Sequence, residues 1–159
     1  MMRKLDQRGV AALEFCLVAV PLFTLMFAIF DLGRYAITMQ SLRMLANAGA
    51  RAMMVQSGNL EDADGPISCY AYLVKYNNLP TACTDPLPSD AAKQAVAPFL
   101  YAGGLTPMLN IALAPGSHIP PPPAKDALTV TASLPNFTML MPIWGTAFNA
   151  PSASTSIAF

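Results

Sequence analysis

Charge is scarce in this sequence. Only 11% of its 159 residues are Asp, Glu, Lys or Arg, and nine cations balance nine anions. Soluble domains carry roughly 25% charged residues, so part of the chain is expected to sit in a solvent other than water. With no basic excess there is nothing to hold phosphates by counterion release, and nucleic acid is not an expected partner. Histidine is nearly absent. His118 stands alone beside a proline run, so paired-histidine chemistry is excluded and no four-ligand zinc set can be assembled. No glycine-rich phosphate loop and no nucleophile elbow occurs. The sequence therefore points to no catalytic site, no cofactor and no metal. Proline is almost missing from the N-terminal part. Of 15 prolines only Pro21 precedes Pro66, which leaves the start of the chain free to form long regular structure and makes the remainder loop-rich.

What the sequence does have is one long apolar run. Val10 to Phe30 contains a single charge, Glu14. As a helix of 21 residues this run is roughly 31 Å long at about 1.5 Å per residue, enough to cross a bilayer core. Arg3, Lys4 and Arg8 precede it and outweigh Asp6. The positive-inside rule then keeps the N-terminus cytoplasmic and puts residues from Asp31 onward outside. A cleaved secretory signal would need a small-residue site after the run, and Phe30-Asp31-Leu32-Gly33-Arg34 is a poor one. Cys16 lies inside the run, where a lipoprotein cysteine would not; it reads as a small buried apolar residue. A retained single-pass anchor is the expectation. Glu14 is costly there, at roughly 2.5–3.5 kcal/mol near mid-membrane. Either it lies close enough to the edge to reach headgroups or Arg8, or it awaits a cation in an assembly.

The residues around Glu14 carry a resemblance. Gly9-Val10-Ala11-Ala12-Leu13-Glu14-Phe15 resembles the processing site of type IV pilin-like proteins: glycine, four apolar residues, glutamate, aromatic. With its short basic leader, immediate apolar run and following Asp31-Leu32-Gly33-Arg34-Tyr35, the stretch is similar to the TadE-like pseudopilins of the Tad (Flp, type IVb) pilus system. The resemblance implies cleavage by a prepilin peptidase between Gly9 and Val10, loss of residues 1–9, and Glu14 and Phe15 as the fifth and sixth mature residues. It further implies that Glu14 attracts the new N-terminal amine of a neighbouring subunit. Gly9, lacking a side chain, leaves the backbone accessible to a protease. Pro21 is either an ordinary membrane proline or the bend of a curved assembly helix.

Beyond the membrane, Leu32, Tyr35, Ala36, Met39, Leu42, Ala46 and Met53 recur at three- and four-residue spacing. Arg34, Thr38, Ser41 and Arg51 lie mostly elsewhere on the wheel. Gln56-Ser57-Gly58 offers a stop, so one helix of roughly 70 Å is predicted from Val10 to about Gln56. Residues 58–66 read as a solvated acidic loop containing Glu61, Asp62 and Asp64, without a calcium-loop pattern. Ser68 to Tyr76 is an element of undetermined type. Ser89 to Tyr101 reads as helical, capped by Ser89 or Asp90, interrupted at Pro98 and ended by Gly103-Gly104. Ile119 to Pro123 is an extended polyproline stretch. Ala127 to Leu134 alternates as a half-buried strand, and Ser152 to Phe159 more weakly. The two are expected to pair antiparallel, joined by an apolar segment from Phe137 to Phe148 that covers the sheet or meets another subunit. Outside the cytoplasm, Cys69 and Cys83 are candidates for a disulfide.

The expected organisation is a basic leader (1–9), a transmembrane helix (10–30), a periplasmic helical extension (31–56) and a small loop-rich α+β domain (57–159). The expected role is a structural or assembly subunit: a minor pseudopilin of the bacterial inner membrane that acts in Tad pilus biogenesis, alone or incorporated into the pilus. Its partners would be the prepilin peptidase, other pilins and pseudopilins, inner-membrane pilus assembly proteins and the lipid bilayer. The alternatives are an unprocessed single-pass binding or scaffold protein with a periplasmic domain, and a type II secretion pseudopilin.

Overall fold

A computed structural model describes residues 7–55, 60–62, 65–76, 79–87, 89–114 and 127–157. Arg3, Lys4, the Gln56-Ser57-Gly58 stop, Asp64, His118, the polyproline stretch and Phe159 lie outside the described residues. The chain is α+β. A 49-residue helix, α1 (Gln7–Val55), is followed by a small domain built on a three-stranded antiparallel sheet. Nothing in α1 after Pro21 is proline, and the helix is continuous through that residue.

The two halves of α1 differ in what surrounds them. Its most apolar 18-residue window has a mean hydropathy of 2.3 and no buried residue. A core helix of a soluble protein would have that surface covered; here it is bare, as a membrane anchor requires. From Asp31 on, one face is covered by the domain. Leu42, Leu45, Ala46, Ala50 and Met53 are buried, each large apolar side chain contributing about 1.5–3 kcal/mol. The face is rotated from the predicted stripe. Leu32 and Ala36 are exposed, whereas Thr38 and Ser41, expected on the polar side, are buried. Small hydroxyl side chains are tolerated there because the helix backbone satisfies them: Thr38 Oγ1 donates to the Arg34 carbonyl at 2.9 Å.

The sheet has the order β3 (Met108–Ala114), β4 (Ala127–Ser133), β5 (Ser152–Ile157), and α1 packs on it. The expected antiparallel pairing of the last two strands is observed, with Val130 opposite Thr155 and Ala132 opposite Ala153. Leu128, Val130, Ala132 and Leu134 are all buried, as their alternation requires. The strand β3 was not foreseen. It pairs with β4, setting Leu109 opposite Ala132 and Ile111 opposite Val130. Its inward residues are only Leu109 and Ile111 among those described, and its outward Ala112 is itself apolar, so the period of two is faint.

Smaller elements close the domain. The acidic loop holds a minimal hairpin, β1 (Glu61–Asp62) with β2 (Gly65–Pro66). The undetermined element is a helix, α2 (Cys69–Tyr76), whose first turn is capped by Ser68 Oγ accepting from the Ala71 N–H at 3.1 Å. The Ser89–Tyr101 segment is two helices, α3 (Asp90–Val96) and α4 (Pro98–Ala102). Ser89 caps the first, accepting from Ala92 N–H. Pro98 ends one helix and starts the next, since its missing N–H costs nothing at the first position. Gly104, with φ +69, turns the chain out of α4. Cys69 at the start of α2 and Cys83 at the end of a short 3₁₀ turn are joined by a disulfide, with Cα atoms 5.8 Å apart.

Candidate functional site

Two groups of residues stand out on α1. The first is the predicted processing site. Gly9 and Val10 fall within the first turns of α1 as described, not in an extended segment. Val10, Glu14 and Phe15 are exposed, Val10 at 63% and Phe15 at 70%. Glu14 stands one helical turn past Val10, about 6 Å along the axis. The domain does not approach this end of the helix: no residue from Val10 to Met26 is buried.

The second group lies where the apolar run ends, and sequence reasoning missed its role. Asp31 is 2% exposed. Its carboxylate accepts the backbone N–H of Leu140 (3.1 Å to Oδ2) and of Met141 (3.1 Å), both in the β4–β5 connection. The same carboxylate lies 3.8 Å from the Arg34 guanidinium. Arg34 turns toward the same connection. Its Nη2 donates to the Thr138 carbonyl at 3.4 Å, and the guanidinium stands over the Phe137 ring at 5.1 Å. Tyr35 packs tilted on Phe137 and edge-on to Phe148, with centroids 6.3 and 5.1 Å apart. Asp31, Arg34 and Tyr35 are thus one clamp, and the segment they hold is Phe137 to Phe148. The remaining motif residue, Gly33, has open space where a Cβ would be.

The apolar connection predicted to cover the sheet or contact another subunit is held against α1 by this clamp. Phe137 is buried at its base, and the rest is fastened to the side of α1 at the membrane end of the domain. Only the lone acid directly after an apolar run hinted at this. It reads most simply as the end of the span, and its partners lie 109 and 110 residues away in sequence.

No described residues offer a metal site; among them no group of three or more His, Cys, Asp or Glu side chains comes together. A charged pair of the domain, Lys93 Nζ to Asp85 Oδ2 at 2.7 Å, is structural: Asp85 also accepts from the Leu87 N–H and fixes the turn before α3.

No curated protein and no solved structure matches the chain. Residues 9–51, which run from the glycine ahead of the apolar run through the clamp and onto the sheet-packed half of α1, match the family model for TadE-like proteins, a match consistent with a TadE-like protein of the Tad pilus system.

Proposed function

We propose that the protein is a minor pseudopilin of the Tad (Flp, type IVb) pilus system, cut after Gly9 by a prepilin peptidase and acting as a structural subunit in pilus assembly. The observation that carries the proposal is Glu14: an exposed carboxylate on a bare apolar helix, five residues beyond Gly9, within the segment that matches the TadE-like model. An unpaired carboxylate in lipid is unfavourable, and so is an unpaired ammonium. Cleavage creates that ammonium at Val10, about 6 Å below Glu14 on the same helix. Two subunits staggered by that rise let each carboxylate meet a neighbour's amine. The pairing sets axial register; desolvation offsets much of its net stabilisation. The basic residues 3, 4 and 8 hold the N-terminus in the cytoplasm until cutting, which leaves the sheet domain in the periplasm.

The peptidase must see an extended backbone, so the turn of α1 around Gly9 has to open, and glycine is the residue at which a helix opens most cheaply. The clamp has a part in assembly as well. It fastens the domain to α1 at the point where the helix leaves the membrane, so a register set by Glu14 in the bilayer is transmitted to the domains outside it.

Mass spectrometry of the membrane-extracted protein, from cells with and without an active prepilin peptidase, tests the reading. The expected mature chain begins at Val10 only when the peptidase is active. A chain that retains residues 1–9 in peptidase-competent cells making normal pili overturns it.

A further inference from the structure

We propose that the β4–β5 connection from Leu140 to Trp144 is a second membrane contact, its apolar side chains seated in the bilayer interface at the Asp31 end of the span. The inference rests on the reading of residues 10–30 as a membrane helix and goes beyond it.

Depth comes first. Asp31 follows Phe30, the last residue of the apolar run. Its carboxylate holds the Leu140 and Met141 N–H groups at 3.1 Å, so these residues lie at the level where the helix leaves hydrocarbon. Leu140 and Met141 also share a groove of about 290 Å³ with Phe27 and Phe30, and Phe27 is one turn deeper than Asp31. The connection thus reaches down the side of the helix to the last turn of the span. Its apolar surface is continuous with that turn: Leu140 is 74% exposed, Ile143 59%, Phe30 67% and Phe27 54%. An apolar patch of that kind facing water would be unfavourable; facing the interface it continues the lipid-exposed surface of the helix.

The backbone supports the same reading. Irregular chain is excluded from low-dielectric surroundings unless its polar groups are already bonded. Four of the backbone donors between Met139 and Trp144 are used, while the Trp144 indole Nε1–H is buried without a hydrogen-bond partner among the described residues. Met139 N–H gives to Asn149 Oδ1 at 3.2 Å, Leu140 and Met141 to Asp31, and Trp144 to the Met141 carbonyl at 3.4 Å. Pro142 has no N–H to satisfy. Met139 to Ile143 carries no charge, Trp144 follows it and Arg34 of α1 lies beside it, residue types that sit at headgroup level. A second subunit covering the same patch is the competing occupant. Continuity with the span and the prebonded backbone favour lipid.

Trp144 is the single tryptophan of the chain and reports its own position. The full-length protein is reconstituted in phosphatidylcholine vesicles whose acyl chains carry bromine either near the headgroup or near the chain end. Expected are co-flotation with the vesicles and quenching of Trp144 emission that is at least about twofold stronger from the shallow bromines, the depth of an interfacial contact. Replacing Leu140 and Ile143 together by Ser is expected to lower that quenching at least about twofold while flotation persists, because the apolar anchor of the contact is gone. Protein that floats but whose Trp144 is not quenched by either lipid overturns the inference and leaves the anchor standing. Protein that does not float overturns both. Quenching that is unchanged in the double variant assigns the depth of Trp144 to α1 alone and also overturns the contact.

Discussion

At the residue scale the largest single contribution outside the apolar core is expected from Asp31. A carboxylate with almost no solvent access is favourable only when its lone pairs are used, and here two backbone N–H groups and a guanidinium use them. Asp31→Ala removes the acceptor and strands both N–H groups, so the expected loss is about 2–4 kcal/mol of domain stability. Asp31→Asn, which retains one oxygen acceptor, should lose roughly half of that. Denaturant unfolding of the full chain in detergent micelles measures both; equal stability of the wild type and Asp31→Ala would remove the clamp. A second residue ties stability to pH. The Tyr101 hydroxyl donates to Asp90 Oδ1 at 3.3 Å. Burial, then the Asp90 charge and this hydrogen bond, with a smaller effect of Asp85, raise its pKa above the ordinary value of about 10. The folded state therefore holds the phenolic proton more tightly than the unfolded chain. That stabilisation is complete below the unfolded pKa and fades as pH climbs through the folded one. Thermal melts should show a decline in alkali, above about pH 10, that is shallower in Tyr101→Phe; identical alkaline profiles would count against the contact.

At the element scale the junction that decides the fold is α1 against the sheet, and Gly49 is buried in it. A Cβ at position 49 would come within 2.9 Å of Leu109 Cδ2, 3.2 Å of Val130 Cγ1 and 3.3 Å of Pro86 Cγ. Alanine would gain about 1 kcal/mol of helix propensity, but overpacking costs about 1–3 kcal/mol. The neighbours include a β-branched strand residue and a proline ring, which yield little, so Gly49→Ala is expected to destabilise by about 1 kcal/mol net and Gly49→Val by more. At Gly33, where nothing would meet the methyl group, alanine should stabilise by about 0.5–1 kcal/mol. Opposite signs for the two alanine variants in the same unfolding assay are the check. The elements also separate what a sequence can disclose from what it cannot. The helix was legible in the uninterrupted apolar run and the three-and-four spacing after it. The strand β4 was legible in clean alternation, as in Leu128-Thr129-Val130-Thr131, and β5 in a weaker version of it. The strand β3 was not, because Ala112 blurs its two faces and its pairing with β4 is set by contacts far away in sequence. The rotation of the buried face of α1 was hidden for a related reason. Asp31, Thr38 and Ser41 read as polar, and for Asp31 and Thr38 burial depends on bonds to backbone N–H groups and a backbone oxygen that no side-chain pattern encodes. Gly9, Glu14 and Phe15 stood out through a family resemblance in their type and spacing, whereas the clamp needed the fold to assemble it.

At the scale of the whole molecule, one continuous helix carries a bare apolar half and a half covered by the sheet domain, and the clamp lies where the two meet. Its lower half offers lipid or neighbours an unbroken apolar surface with one carboxylate in it; its upper half is the central support of the sheet domain. If assembly depends on a carboxylate finding a neighbour's amine, then removing the carboxylate should spare everything up to assembly. Glu14→Ala leaves Gly9 and Val10 in place, touches no buried residue and makes the span more apolar, so folding, membrane insertion and processing are expected to proceed. Incorporation should fail, because subunits lose the interaction that selects one axial stagger over neighbouring ones. The expected outcome is normal cleavage by mass spectrometry with pilus number reduced about tenfold or more, an amount that a register preference of about 1.4 kcal/mol per subunit already yields. Glu14→Asp, with a shorter reach but the same charge, should restore part of the assembly, whereas Glu14→Gln should not, since the amine needs a counter-charge in low dielectric. Pili made at wild-type number by Glu14→Gln would show that register is set elsewhere, and the packing of the bare apolar half of α1 would then have to supply it.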